Sequence, residues 1–157
     1  MAPVLSRAGL VPKHPLRIHQ RVMRFLVDAN VLSEVMRPAP NPRVLEWLVQ
    51  NEPALCVNPV VLGEIEYGIL LLPAGPRRAR LQAWFKTGVK TIRVLDWDAR
   101  TGSVWAALLA QLKSQGLSMP VKDSLIAASA LAHDLTIVTR NRSDFETSGL
   151  HVLNPFD

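Results

Sequence analysis

Arg24-Phe25-Leu26-Val27-Asp28-Ala29-Asn30 is the first stretch of the chain with an unmistakable local preference. Phe25 to Val27 is a short apolar run without polar alternation, the pattern of a central strand buried on both faces of a parallel sheet. Asp28 then stands at the carboxyl end of that strand, where open sheets of this kind gather their ligands. Outward from here, short apolar runs alternate with longer segments of helical period. Asn41-Pro42 supplies an N-cap and a first-turn proline for a helix carrying Val44, Leu45, Trp47 and Leu48 on one face. Leu55 to Val57 reads as a second strand, and Asn58-Pro59 repeats the cap before a helix from Val60 to about Leu72. A helix over about Arg77 to Lys86, a strand from Thr91 to Leu95, and a long helix capped by Asp98 and ending near Gly116 follow. The Ala-rich stretch Ser124 to Ala132, a strand from Leu135 to Thr139 and a last strand from Leu150 to Leu153 complete an α/β chain. The expected architecture is a three-layer α/β/α sandwich around a central, mainly parallel sheet.

The chain has 157 residues, 48% of them apolar and 20% charged, which fits one compact core and excludes wholesale disorder. Its net charge of +5 suggests a polyanion-binding domain until the charges are placed. Arg7, Lys13, Arg17 and Arg21 contribute +4 to residues 1–22 with no acid, so the other 14 bases and 13 acids leave +1 on the body. Residues 1–22, broken by Pro3, Pro12 and Pro15, read as a flexible basic extension, and residues 23–157 as the folded domain. No apolar run approaches the roughly 20 residues that span a bilayer. A lone Cys56 makes no intramolecular disulfide, so a reducing, cytoplasmic setting is expected.

Three acids fall where a parallel sheet builds a site: Asp28 after the first strand, Glu64 in the helix after the second, and Asp123 at the entry to the Ala-rich helix. Taken singly, Asp28 and Asp123 are also ordinary helix caps, and Glu64 is an ordinary half-exposed helix position. Their conjunction carries more. Two carboxylates about 4 Å apart repel by roughly 4 kcal/mol at an effective dielectric of about 20, so converging acids need protons or a cation. With oxygen ligands and no His or Cys nearby in sequence, Mg2+ is favoured over zinc or copper, with Mn2+ as the alternative. Other chemistries lack their parts: there is no Gly-rich phosphate loop after Val27, no GxxxxGK[ST] and no GxSxG turn. Trp47, Trp84, Trp97 and Trp105 occupy positions that suit core packing.

Four segments together resemble the PIN-domain family, in particular the VapC- and FitB-type toxins of bacterial type II toxin–antitoxin pairs. They are Phe25-Leu26-Val27-Asp28-Ala29-Asn30-Val31-Leu32-Ser33-Glu34, Val60-Val61-Leu62-Gly63-Glu64-Ile65-Glu66-Tyr67-Gly68, Pro120-Val121-Lys122-Asp123-Ser124-Leu125-Ile126-Ala127-Ala128 and Val138-Thr139-Arg140-Asn141-Arg142-Ser143-Asp144-Phe145. The resemblance covers essentially all of residues 23–157. It implies a Mg2+-dependent endoribonuclease in which Asp28, Glu64 and Asp123 are catalytic and hold the metal. The fourth acidic place is divided: Asn141 stands directly after the Thr-Arg pair, and Asp144 matches the acid before Phe. Asp144 is the expected contributor, directly or through a water, and Asn141 the polar second choice. Asn30 and Thr139 fall inside the matching segments, with orienting an acid and capping a turn both open. Arg140 and Arg142 are the expected RNA contacts; Arg77, Arg78 and Arg80 form a second basic group. The resemblance further implies an RNA substrate, a cognate antitoxin, a homodimer and a toxin–antitoxin hetero-oligomer. The apolar stripe Ile65, Ile69, Leu70, Leu71 and Leu72 suits core or interface. The rival expectation is a catalytically weak PIN-like regulatory module that acts by holding a partner.

Overall fold

The computed structural model describes residues 22–89 and 92–157. The expected extension, residues 1–22, lies outside them apart from Val22. Among the described residues, five strands form one sheet in the order β3-β2-β1-β4-β5: β1 Phe25–Val27, β2 Leu55–Val57, β3 Arg93–Val94, β4 Thr136–Val138 and β5 Val152–Leu153. All four pairings are parallel. Every residue of β1 and β2 is buried, although successive side chains point to opposite faces, so helices cover the sheet on both sides. The chain runs outward from β1 to β2 and β3, then crosses to β4 on the other flank of β1. The strand order therefore reverses at β1, and a crevice opens beyond the carboxyl ends of β1 and β4.

The outer strands are shorter than their apolar patterns suggest. β3 keeps only Arg93–Val94, both exposed, and β5 only Val152–Leu153; Thr91, at the expected start of β3, lies outside the described residues. An edge position removes the second neighbour that would extend the ladder.

The helices are α1 Ala29–Leu32, α2 Pro42–Asn51, α3 Pro59–Leu70, α4 Pro76–Thr87, α5 Ala99–Ser114, α6 Val121–Ala132 and α7 Arg142–Phe145. The expected caps form. Asn41 accepts from Arg43 N at 2.9 Å, and Asp98 accepts from Thr101 N at 2.9 Å and Thr101 Oγ1 at 2.8 Å. Gly116, at φ +70°, turns the chain out of α5. α3 stops at Leu70, and its apolar stripe divides: Ile65 and Ile69 are buried, whereas Tyr67, Leu70 and Leu71 are exposed. None of the described helices is long and apolar enough to cross a membrane.

Asn58 ties the crevice wall together. Fully buried, it accepts from Val61 N at 2.9 Å as the cap of α3, and its Nδ2 donates to Ser129 Oγ of α6 at 3.0 Å. Asn58→Ala removes a cap and leaves a buried hydroxyl without its donor. It is expected to lower stability by about 2 kcal/mol, read from the midpoint of urea unfolding.

Candidate functional site

Asp28 is 6% exposed, and its two carboxylate oxygens are held differently. Oδ1 caps α1 by accepting from Ala29 N at 2.7 Å. Oδ2 accepts from Thr139 Oγ1 at 2.8 Å and from Asn30 Nδ2 at 3.2 Å. Thr139 follows β4 directly, as Asp28 follows β1, so this bond closes the sheet's switch point from strand to strand. Asn30 Nδ2 also reaches Thr139 Oγ1 at 3.3 Å, while its Oδ1 accepts from Arg140 N at 3.1 Å. Thr139 Oγ1 in turn accepts from Asn141 N at 3.1 Å. Asn30 and Thr139 thus do both things the sequence left open: they brace Asp28 and stitch the turn after β4.

The other acids approach from helices. Glu64 lies in the second turn of α3, and Asp123 in the first turn of α6. The start of α6 is pinned to α5 and its approach by two indoles: Trp105 Nε1 donates to Ser124 Oγ at 2.9 Å, and Trp97 Nε1 to Leu125 O at 3.2 Å. The two rings meet edge to face at 6.1 Å. Asp144 sits on α7, its backbone N donating to Asn141 O at 3.2 Å.

The electrostatics bind these four acids into one neighbourhood. Burial pushes the Asp123 carboxyl up to about 6, and the charges of Asp144, Asp28 and Glu64 push the same way, against Lys122. Asp28 is also raised, first by burial and further by Glu64; the bonds from Thr139 and Ala29 and the charge of Lys122 oppose this. Glu64 Oε1 pairs with Lys122 Nζ, and Glu64 Oε2 is buried without a hydrogen-bond partner. As the side chains lie, no group of three His, Cys, Asp or Glu among the described residues is arranged to hold a metal ion. The donor chemistry nevertheless suits a hard divalent cation: all the candidate donors are oxygens, the acids repel one another, and Glu64 Oε2 is uncommitted.

The arginines beside the site are engaged. The Arg140 guanidinium stacks on Phe156 at 4.8 Å from the ring centroid, and Arg142 pairs with Asp157 at 3.5 Å. Arg77 and Arg80 lie elsewhere, with Met36, Pro38 and Leu81 around a surface cavity of about 320 Å³. Two charged residues carry roles the sequence did not suggest. Glu34 is a buried acid whose Oε1 accepts from Asn41 N at 2.7 Å, bracing the start of α2. Lys122 was visible only as the neighbour of Asp123; nothing local signals its pairing with a carboxylate on α3.

The chain as a whole matches known proteins in sequence and fold. The family model described as PIN domain matches residues 25–147. The chain is 34% identical to VapC ribonuclease Y4jK of Sinorhizobium fredii, over 85% of this chain and 98% of that one. It is 30% identical to toxin FitB of Neisseria gonorrhoeae, over 84% and 98%. The crystal structure of FitAcB from Neisseria gonorrhoeae superposes with a TM-score of 0.78 at 30% identity, covering 84% of this chain and 98% of that one.

A carboxyl raised by folding favours the protonated native state, so its contribution to stability is present at low pH and is lost as pH rises through about 6. Asp123→Asn removes that loss. The metal-free variant is therefore expected to melt higher than the parent at pH 7.5, the gain shrinking toward nothing at pH 4. After discounting for solvent screening, the gain at pH 7.5 is on the order of 1 kcal/mol, or about 3 °C by differential scanning calorimetry.

Proposed function

The chain belongs to the PIN-domain family, and on that premise we propose that it is a metal-dependent endoribonuclease, the toxin of a bacterial type II toxin–antitoxin pair. The observation that carries this reading is the Asp28–Thr139 bond across the switch point, with Asp123, Glu64 and Asp144 electrostatically coupled around it. In this reading Asp28, Glu64 and Asp123 hold Mg2+, or Mn2+ in its place, and Asp144 completes the acidic set directly or through a water. When bound, the ion supplies Lewis acidity that makes water a nucleophile near neutral pH and neutralises charge on an RNA phosphodiester. Thr139 and Asn30 keep the Asp28 carboxylate in one orientation, which fixes the direction in which it offers its free lone pairs. Asn141 shapes the turn through its backbone and stands as the polar alternative to Asp144.

Arg140 and Arg142 are the phosphate contacts of this proposal. The Arg140 guanidinium lies over the Phe156 ring and not against a carboxylate, whereas phosphate has to compete with Asp157 for Arg142. Toxin FitB and the FitAcB assembly support a cognate antitoxin as partner, in a toxin–antitoxin hetero-oligomer. A homodimer would cover the exposed Tyr67, Leu70 and Leu71 at the end of α3.

With Mg2+ present, the purified chain is expected to cut RNA, EDTA to stop it, and Mg2+ or Mn2+ to restore it. Asp28→Asn, nearly isosteric, is expected to lower the cleavage rate about 100-fold or more while the chain stays folded by circular dichroism. Undiminished cleavage by Asp28→Asn would overturn the reading. Binding of RNA or partner without cleavage by the parent would favour the weak regulatory module. For the dimer, Leu71→Glu is expected to shift the gel-filtration profile toward monomer.

A further inference from the structure

Lys122 is placed as no other cation among the described residues is. It stands beside Asp123 on the first turn of α6, yet its ammonium reaches across to Glu64 Oε1 on α3. Its charge also acts on Asp28 and Asp123. Arg140 and Arg142, on the turn after β4, are turned to Phe156 and Asp157.

A carboxylate that gives one oxygen to an ammonium cannot offer both oxygens to a metal. The other oxygen, Glu64 Oε2, is buried and makes no hydrogen bond. The pair therefore holds Glu64 in a half-committed state. An ammonium in contact with Glu64 and a divalent cation on the same carboxylates would repel each other strongly at such a distance. Both are not held at once without a large cost. Lys122 can leave cheaply, because its side chain is 56% exposed on a flexible four-carbon stem while that of Glu64 is only 21% exposed.

We propose that Lys122 is a built-in counter-ion of the carboxylate pocket, which occupies Glu64 in the metal-free protein and is displaced from it when a divalent cation binds. The inference rests on the metal-site reading above and deepens it. Lys122 is a positioning residue: it quiets repulsion among the acids while the pocket is empty and sets how tightly the pocket takes metal. The two effects have opposite signs, and a merely structural lysine would not produce that combination.

Lys122→Met keeps the alkyl stem and removes the charge. Mn2+ titrated into the metal-free full-length protein, without RNA, is expected to bind this variant about fivefold more tightly than the parent by isothermal calorimetry. The same variant, stripped of metal at pH 7.5, is expected to melt lower than the parent and to recover more on Mn2+ addition. Lys122→Arg is expected to stay near the parent in both measurements. Equal or weaker Mn2+ affinity in Lys122→Met, or an unchanged metal-free melting temperature, overturns the proposal. Lys122→Gln read in the same two ways guards against a folding defect peculiar to Met. Failure of the underlying site reading looks different: neither parent nor Lys122→Met binds Mn2+, or binding survives in Asp28→Asn, and either result removes this proposal with it.

Discussion

Burying a carboxylate is costly unless the fold supplies donors, and the donors for Asp28 come from the one place that also organises the sheet. Thr139 Oγ1 and Asp28 Oδ2 meet because β1 and β4 are parallel neighbours in register, Val27 beside Val138, so the residues just past them emerge side by side. Asn30 completes a three-cornered arrangement with both. The polar cluster is thus a product of strand register: a slip of one residue between β1 and β4 would send Thr139 to the other face and leave Asp28 buried with too few donors. What the helices add is presented to a point that the strands have already chosen.

Around that point the molecule keeps a charge imbalance. The charges of Asp28, Glu64 and Asp144 all act on Asp123, Glu64 acts on Asp28 as well, and Lys122 opposes them at Asp28 and Asp123 while pairing with Glu64. Such an imbalance works against the stability of the free chain, and its presence at a crevice has the character of a site rather than of a scaffold. The burial of Glu34 shows the contrast. That acid has a backbone partner at Asn41 and a guanidinium at Arg37, and it braces the start of α2.

Much of the frame was legible in the sequence because its signals are local. Phe25 to Val27 lacks alternation, and Asn58-Pro59 and Asp98 cap helices by contacts within three residues. Asp28 and Asp123 could be placed at element ends, and Glu64 inside its helix, for the same reason. Tertiary pairing was not legible. The reach of Lys122 to Glu64, the stacking of Arg140 on Phe156 and the bond of Arg142 to Asp157 join residues whose local sequence carries no trace of the partner. Edge strands were overestimated for a related reason: Leu150 to Leu153 has an apolar pattern, but only β4 lies beside it, so the ladder closes over two residues. The division of the α3 stripe into buried Ile65 and Ile69 and exposed Leu70 and Leu71 likewise depends on where neighbouring helices end.

The two indoles at the start of α6 have a practical corollary. Trp97 and Trp105 touch each other and donate to Leu125 and Ser124, one or two residues from Asp123. Indole emission responds to the polarity and hydrogen bonding around the ring, so half of the chain's four tryptophans form a native optical gauge beside the acidic pocket. Displacement of the first turn of α6 would register in the ultraviolet spectrum of the unlabelled protein.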